Sequence, residues 1–445
     1  MKTTSKAVDW WLGLGIMVVA SAWFSVGVGS EPSFVDEWAY ISQAYFADLY
    51  IGGLRDDPAW LEYPGYDLPP LPKYLIGGSL RLAGLPRPPQ EMMVRWYGDT
   101  STRTGTEAML RAGRWPSVLL GGLGCAMIYA IGLQLSSRGL GVIAAVLLVM
   151  NPLYRLHAHR AMSDVPAEAL ILLTLALGLW VWRRQCAATG WGIGLMVASA
   201  IVGVFGGLAV LAKLNGALAL MTIGMWSLLN VTFRIARTSA DIRMRRVITS
   251  GIVTPLLAGA VGFITFVLMN PFMTARPKGP LPPVIADIAS QGLWGRAKIV
   301  ASHRADVSNQ AMKLFPHNAL STLPEKVAAV AVQGYGRFGP LGPSHTDSTK
   351  RFDLAQDWGA LLWLPLTVAG FLLQLKNGRD QWRSRKPPIG LAIAGMTGLA
   401  VVVITGFIPL AWDRYYLSIQ PGAALLVAGL LDAILGWFLR SPTTP

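Results

Sequence analysis

Charged residues and cysteines are scarce in this chain. Only 14% of its 445 residues are Asp, Glu, Lys or Arg, whereas 53% are hydrophobic and the mean hydropathy is +0.45. A soluble chain of this length would form about two or three domains with mixed surfaces, and this composition excludes that class. The two cysteines, Cys125 and Cys186, lie in or beside apolar runs, with neither a disulfide framework nor zinc-ligand spacing.

The sequence contains instead a series of apolar runs of about 20 residues, the length that crosses a hydrocarbon core of about 30 Å. We therefore predict an all-α polytopic membrane protein with about ten transmembrane helices. The predicted spans are 9–29, 115–135, 139–153, 165–182, 190–211, 215–233, 248–269, 358–375, 389–409 and 417–438. The first span is too long for the apolar part of a cleaved signal peptide, and we interpret it as a retained anchor.

The formal net charge of +14 is explained by membrane topology rather than by a nucleic-acid partner. If the N-terminus is cytoplasmic, most Lys and Arg near span ends fall on the cytoplasmic side. They are Lys2, Lys6, Arg138, Arg183, Arg184, Arg234, Arg237, Arg243, Arg245, Arg246, Lys376, Arg379, Arg383, Arg385, Lys386 and Arg440. The short loops on the other side carry only Arg155, Arg160, Lys213 and Arg414. We predict that both termini are cytoplasmic, in a bacterial inner membrane.

This topology makes residues 1–445 a single transmembrane domain with two long extracytoplasmic loops, 30–113 and 271–357. Both loops are too polar to cross a membrane and are rich in Pro and Gly. Within the first loop, 70–85 reads as a helix whose apolar residues alternate with Lys73 and Arg81, so we expect it to lie at the membrane interface.

Polar residues recur at the extracytoplasmic ends of several spans. Asp36 and Glu37 follow the first span, and Lys213 lies between the fifth and sixth. Ionisable residues bordering transmembrane segments mark substrate pathways. A general base beside an anion-binding group of cations is what transfer of a sugar from a lipid phosphate requires. The remaining members of this set are Arg160 and Asp164 in "NPLYRLHAHRAMSDVPAEAL" and Asp413 and Arg414 in "IPLAWDRYYLSIQPGA".

The acidic residues also have a structural interpretation, which the sequence leaves open. Asp36 and Glu37 lie where they would stabilise the start of a helix through its N-terminal dipole. Asp164 directly precedes a Val-Pro pair and would cap the fourth span, or it would form an ion pair with Arg160 on the same helix face.

The basic residues and histidines are equally open to two interpretations. Lys213 lies in an apolar region with almost no loop, so it needs an anionic partner. Arg414 would bind substrate, pair with Asp413, or extend its guanidinium to the interface. His157 and His159 are two positions apart, but with no clear third ligand they do not define a metal site.

Taken in order, these stretches resemble the GT-C superfamily of glycosyltransferases. The nearest likeness is to the dolichyl-phosphate-mannose–protein mannosyltransferases and their bacterial relatives, which include the aminoarabinose transferases. The matching stretches are "DEWAYISQAYFADLY", "LPPLPKYLIG" for HPPLxK, "HRAMSDVPAEALILL", "GLAVLAKLNG" for GLAxLxK, "NPFMTARP", and "RYYLSIQP" for RYxLPxxP. Two positions depart from the pattern, because Leu68 replaces the His of HPPL and Ser418 replaces the Pro of LPxxP.

The resemblance implies an inverting sugar transfer from a polyprenyl-phosphate-linked donor on the extracytoplasmic face. It implies that Asp36 is the catalytic base and that Glu37 orients the base or the acceptor. Lys213, Arg414 and Arg160 would then hold the lipid phosphate. The further candidates for substrate or phosphate binding are Asp164, Lys73, His159 and His303. We assign no cofactor, and metal dependence stays open.

Two other functional classes compete with the transferase. A transporter or flippase of a lipid-linked or anionic solute would place its charges near mid-membrane, in paired halves with discontinuous helices. A non-catalytic membrane scaffold would need none of these cations. Charges at the ends of the spans favour the transferase, whose acceptor would be a protein hydroxyl, a glycolipid or a polysaccharide.

Overall fold

The chain folds into a bundle of long helices with shorter helices gathered at one end. The computed structural model describes residues 3–86, 88, 106–187, 192–236, 241–344 and 349–439. Lys2, Arg237 and Arg440 lie outside the described residues.

The α-helices, numbered along the described chain, have these bounds: α1 Thr3–Ser25, α2 Val35–Ser42, α3 Phe46–Ile51, α4 Tyr63–Asp67, α5 Pro70–Leu82, α6 Glu107–Leu135, α7 Arg138–Val149, α8 Pro152–Ala158, α9 Asp164–Ala187, α10 Ile193–Ala212, α11 Ala217–Ile235, α12 Asp241–Leu268, α13 Pro283–Ser290, α14 Leu293–Leu314, α15 Leu323–Ala328, α16 Leu354–Asp357, α17 Ala360–Arg383, α18 Ile389–Phe407 and α19 Gln420–Leu439. Short 3₁₀-helices occupy Pro58–Leu61, Leu214–Gly216, Pro271–Met273 and Asp413–Ile419, and a π-helix follows α15 at Ala329–Gly334.

Nine helices in the described ranges are long and apolar enough to cross a membrane, or ten if one bent pair counts as a single span. The predicted all-α polytopic fold is therefore confirmed, and the chain is an integral, multi-pass membrane protein. The predicted helix within 70–85 is present as α5.

The third predicted span is not one straight helix. We expected it to run through 139–153, but α7 ends at Val149, and α8 then leaves at an angle of 66°. Asn151 caps α8 by accepting a hydrogen bond from the Tyr154 N–H at 3.0 Å, and Pro152 occupies its first turn. The bend turns α8 and the residues after it across the end of the bundle.

Side-chain contacts show which helix ends lie together. At one end, Arg138 Nε donates to Asp9 Oδ1 at 2.5 Å and Ser137 Oγ donates to Asp432 Oδ1 at 3.2 Å. The first and last spans therefore have their terminal halves at the same end as the α6–α7 turn. The opposite end carries α2 to α5, α8, α13 to α16 and the segment Asp413–Ile419, and we call it the site end.

Glycines bring two of the spans into close contact. A Cβ on Gly203 of α10 would lie 2.6 Å from the Ala258 carbonyl oxygen of α12, and one on Gly207 would lie 2.4 Å from the Gly262 carbonyl oxygen. Small residues at such spacing let helix backbones approach closely, as is common in membrane bundles. This contact holds α10 firmly beside α12 and so fixes where the turn that carries Lys213 lies.

Candidate active site

Asp36 and Arg414 form an ion pair at the site end. Asp36 lies in the first turn of α2, and its carboxylate accepts a hydrogen bond from the Arg414 guanidinium. Both side chains keep contact with solvent, at 32% exposure for Asp36 and 21% for Arg414. An ion pair that stays partly exposed is accessible to a third charged group.

Glu37 differs sharply from its neighbour, because it is completely buried. Arg114 of α6 donates to both of its carboxylate oxygens at 2.8 Å, from Nε to Oε1 and from the terminal guanidinium nitrogen to Oε2. The Ala161 N–H donates to Oε1 at 2.7 Å, and the Phe34 N–H donates to Oε2 at 2.9 Å. Both oxygens are thus occupied, so Glu37 anchors α2 and leaves Asp36 at the surface.

Arg114 extends this anchor to the chain before α2. It also donates to the carbonyl oxygens of Val28 at 2.6 Å, Glu31 at 2.9 Å and Pro32 at 3.2 Å. A buried guanidinium with so many partners fixes the path of the connection between α1 and α2.

Arg414 is held from several sides in the 3₁₀-helix Asp413–Ile419. Its backbone N–H donates to Asp413 Oδ1 at 2.6 Å. Its guanidinium lies 4.7 Å from the centroid of the Trp412 ring and 5.7 Å from that of Tyr415. Aromatic faces attract a guanidinium and restrict its rotamers, so the cation is held in place before any ligand binds.

Lys213 and Asp164 form a second ion pair at the same end. Lys213 Nζ donates to Asp164 Oδ1 at 2.6 Å, with the lysine side chain 26% exposed and the aspartate 2% exposed. Lys213 ends α10, and a 3₁₀ turn leads directly into α11. That turn needs Gly216, because a Cβ there would lie 2.2 Å from the Ala209 backbone.

A third group of charges surrounds the buried Asp413 carboxylate. Its Oδ2 lies 3.5 Å from Arg160 and 3.6 Å from His157 Nε2. The Arg160 guanidinium also lies 4.3 Å from the centroid of the Phe34 ring, just before α2. This group joins the residues after α8 to the segment that carries Arg414.

His159 pairs instead with Glu31, whose carboxylate lies 3.8 Å from its Nδ1. Hydrogen bonding to His159 holds the pKa of Glu31 below its ordinary value. The predicted residue His159 therefore lies at the edge of the site, beside the connection that Arg114 holds.

His303 and Lys73 belong to a separate group formed by the two long loops. His303 Nε2 lies 3.0 Å from Asp67 Oδ1, and the rings of Tyr63 and Tyr66 meet the imidazole edge-on at 5.4 and 5.3 Å. Lys73 is buried, donates to the Pro64 carbonyl oxygen, and has its Nζ 4.7 Å from the Phe46 ring centroid. Desolvation lowers the pKa of Lys73 to about 7.

Lys73 is a correction to the sequence interpretation. We expected it on the polar side of an interfacial helix, available to substrate or phosphate, but α5 turns it inward. Its ammonium is enclosed by Pro64 and Phe46, so it contacts the protein interior and not the membrane interface.

The structure also decides between the structural alternatives. The helix-capping interpretation applies to Glu37, which accepts from the Phe34 N–H, whereas Asp36 pairs with Arg414. The proposed pair of Arg160 with Asp164 is absent from the ion pairs of the described residues, where Asp164 pairs with Lys213.

Sequence reasoning missed two residues of this region, Arg114 and Glu168. Arg114 lies one position before the predicted span 115–135 and far from Glu37 in sequence. Glu168, buried one turn after Asp164, accepts a hydrogen bond from the Ser418 hydroxyl at 2.8 Å. The spacing of Glu168 from Asp164, four positions on one helix face, was a usable signal.

The sequence and the fold of this chain are similar to those of known proteins. The candidate spans of the described residues make the chain a multi-pass membrane protein. Residues 61–270 match the family model described as dolichyl-phosphate-mannose-protein mannosyltransferase, which confirms the resemblance inferred from the motifs. Asp36 and Arg414 lie outside the matched residues. No curated protein matches the sequence.

Solved structures give the same fold over nearly the whole chain. An oligosaccharyltransferase from Archaeoglobus fulgidus, tethered to an acceptor peptide, matches with a TM-score of 0.53 and 16% identity, covering 96% of this chain and 50% of its own. AglB from the same organism, in complex with an inhibitory peptide and a dolichol-phosphate, matches with a TM-score of 0.53 and 15% identity, covering 96% and 51%. ArnT from Cupriavidus metallidurans, bound to undecaprenyl phosphate, matches with a TM-score of 0.50 and 16% identity, covering 97% and 61%. The chain thus spans about half the length of the archaeal structures.

Proposed function

We propose that this protein is a membrane glycosyltransferase. It transfers a sugar from a polyprenyl-phosphate-linked donor to an acceptor hydroxyl on the extracytoplasmic face, with inversion at the anomeric carbon. The relatives named above carry dolichol-phosphate or undecaprenyl phosphate in two of the matched structures, and this supports a lipid-linked donor for the present chain.

The observation that carries the proposal is the partly exposed pair of Asp36 and Arg414. It places a carboxylate and a cation in contact, at one helix end, where both remain accessible. Lys213 adds a second partly exposed cation at the same end. A base beside two phosphate-binding cations is the arrangement that the reaction needs.

The transfer is then a single displacement. The acceptor oxygen forms a bond to the anomeric carbon from the face opposite the phosphate, while its proton moves to the Asp36 carboxylate. The bond between the anomeric carbon and the phosphate oxygen breaks, and the phosphate keeps the electron pair. Arg414 and Lys213 stabilise the negative charge that develops there, Arg414 as a fork and Lys213 as a point charge.

In this scheme Glu37 is a positioning residue. Its oxygens are occupied by Arg114 and two backbone N–H groups, so it holds the first turn of α2 in place. The adjacent Asp36 is thereby fixed toward Arg414, and Glu37 itself does not meet the acceptor.

An apolar groove on the bundle is suited to bind the isoprenoid chain of a polyprenyl carrier, which supports the proposal. It is lined by residues of the π-helix region, α17 and α18, among them Tyr335, Phe371 and Val401. The neighbouring Gly334 packs on Tyr416, in the segment that carries Arg414. An isoprenoid chain in this groove would leave its phosphate near the site end.

The distribution of Lys and Arg supports an orientation with both termini cytoplasmic and the site end in the periplasm of a bacterial inner membrane. His303, Asp67 and the surrounding tyrosines lie between the two long loops, where an acceptor would approach. An acceptor that approaches between these loops could be a sugar hydroxyl, a glycolipid or a protein side chain.

The test is a comparison of glycans and glycolipids by mass spectrometry in cells with and without the chain, followed by transfer with purified protein in liposomes. We expect a product that is missing without the protein and is formed from a polyprenyl-phosphate sugar in vitro. Movement of the donor across the liposome with no product would instead identify a flippase.

A further inference from the structure

A single hydroxyl connects three elements below the proposed site. Ser418 Oγ donates to Glu168 Oε2 of α9 at 2.8 Å, and it accepts from Asn215 Nδ2 at 3.3 Å. Ser418 is 8% exposed and Glu168 is 3% exposed, so the contact is shielded from water. One side chain therefore ties α9, the turn after α10 and the 3₁₀-helix Asp413–Ile419 together.

The two proposed phosphate-binding cations lie on elements that this hydroxyl joins. Asn215 is two positions after Lys213, and Ser418 is four positions after Arg414. The third element, α9, carries Asp164, which pairs with Lys213. The relative position of Lys213 and Arg414 is thus set partly through Ser418.

The sequence is unusual at this contact. Ser418 stands where the RYxLPxxP pattern has a proline, and a proline has no side-chain donor. Glu168 is a buried carboxylate in a membrane span, where an ionisable residue is costly unless it serves a function. A donor and a buried acceptor that meet in this way indicate a built contact rather than a chance one.

We propose that Glu168 and Ser418 are positioning residues that hold Lys213 and Arg414 at the spacing a lipid phosphate requires. This inference rests on the proposed function for its consequence, since the phosphate is that of the donor. The contact itself is independent of any ligand. Asn215 completes it by fixing the other side of the Ser418 hydroxyl.

The first test measures the segment directly in the ligand-free protein. Hydrogen exchange of the amides at 413–419 should speed up in Ser418→Ala and in Glu168→Ala. The double variant should show no further increase, because both changes remove the same hydrogen bond. Ser418→Thr, which keeps the hydroxyl, should exchange as the wild type does. Ser199→Ala is the matched control, since that buried hydroxyl donates to the Leu195 carbonyl oxygen of its own helix at 2.7 Å.

The second test measures binding of undecaprenyl phosphate and the transfer rate. We expect the Kd of Ser418→Ala and Glu168→Ala to rise about tenfold, as charge-assisted contacts to the phosphate lengthen. Glu168→Gln should bind nearly as the wild type, since its amide oxygen still accepts from Ser418. A Glu168→Gln variant as weak as Glu168→Ala would overturn the proposal in favour of a role for the charge.

Unchanged amide exchange at 413–419 in both alanine variants would also overturn it, whatever the activity. Failure of the proposed function has a different signature, namely wild-type protein that neither binds undecaprenyl phosphate nor forms product. In that case the exchange measurements still decide whether the contact positions the segment.

Discussion

The Asp36 carboxylate meets the Arg414 guanidinium although 378 positions of sequence separate them. The first turn of α2 and the segment before the last span are brought together only by the bundle. Asp36 and Glu37 are adjacent, yet each is paired with a different arginine from a different part of the chain.

Asp36→Asn should reduce sugar transfer by about 10²- to 10⁴-fold, the usual contribution of a general base. The amide keeps the size of the side chain and still accepts a hydrogen bond from Arg414, but it does not take a proton. The measurement is the transfer rate of purified protein in liposomes, with thermal unfolding to show that the fold is kept. Asp306→Asn, an exposed carboxylate on α14, is the control and should retain activity. An Asp36→Asn variant with full activity rules out Asp36 as the base.

Arg414→Lys and Lys213→Met should weaken binding of undecaprenyl phosphate by about tenfold or more each. Lysine keeps the charge of Arg414 but loses the fork and the contact with Trp412. Binding is measured by titration of the purified protein, at two salt concentrations. Equal affinity in all three proteins would place the phosphate elsewhere.

Glu37→Gln should destabilise the protein by about 3–5 kcal/mol, because it leaves the buried Arg114 charge without its partner. Thermal unfolding in detergent measures this loss. Asp9→Asn breaks an exposed pair with Arg138, whose side chain is 42% exposed, and should cost only about 0–1 kcal/mol. If the two variants unfold alike, Glu37 is not the anchor described here.

Lys73 should make stability depend on pH. Its pKa is about 7 in the folded protein and about 10.5 when exposed, so between these values the unfolded chain binds one proton more. The free energy of unfolding should therefore rise as the pH is raised from about 7 to about 10. Below pH 7 the buried Lys73 is protonated, and the full destabilisation caused by burying its charge is present. Lys73→Met should remove this rise in melting temperature, and a variant with the wild-type slope would contradict it.

His303→Ala should raise the KM for the acceptor with little change in the binding of undecaprenyl phosphate. The imidazole contacts Asp67, Tyr63 and Tyr66, and it lies in the group formed by the two loops rather than beside Arg414. Donor affinity and acceptor KM are measured separately. A selective loss of donor binding would assign His303 to the phosphate instead.

The arrangement of spans was readable from the sequence because hydrocarbon imposes a simple length requirement on apolar helices. The bend after α7 was less evident, although the Asn151-Pro152 pair marks a helix start and so signals a break. Hydropathy averaged over a window of residues does not detect such a break, because the residues on both sides are apolar.

The partners in the ion pairs could not be predicted from the sequence. The sequence shows that Asp36 and Glu37 are adjacent, but it does not show that Arg114 occupies Glu37 from 77 positions away. Lys73 and Glu168 illustrate the same limit, since the burial of each depends on how α5 and α9 rotate against their neighbours. Periodicity fixes which residues share a face, and packing decides what that face meets.

The cations of the proposed site are already paired with carboxylates of the protein. Asp36 neutralises Arg414, and Asp164 neutralises Lys213. A phosphate that binds there would replace existing ion pairs, so its net gain in binding free energy is only the difference between the new pairs and the old ones. If Asp36 is the base proposed above, its protonation during transfer would weaken its ion pair with Arg414 and leave the guanidinium to bind the phosphate of the spent carrier. Loss of that proton would restore the Asp36–Arg414 ion pair and favour release of the carrier, so one ion pair would contribute both to the chemical step and to product release.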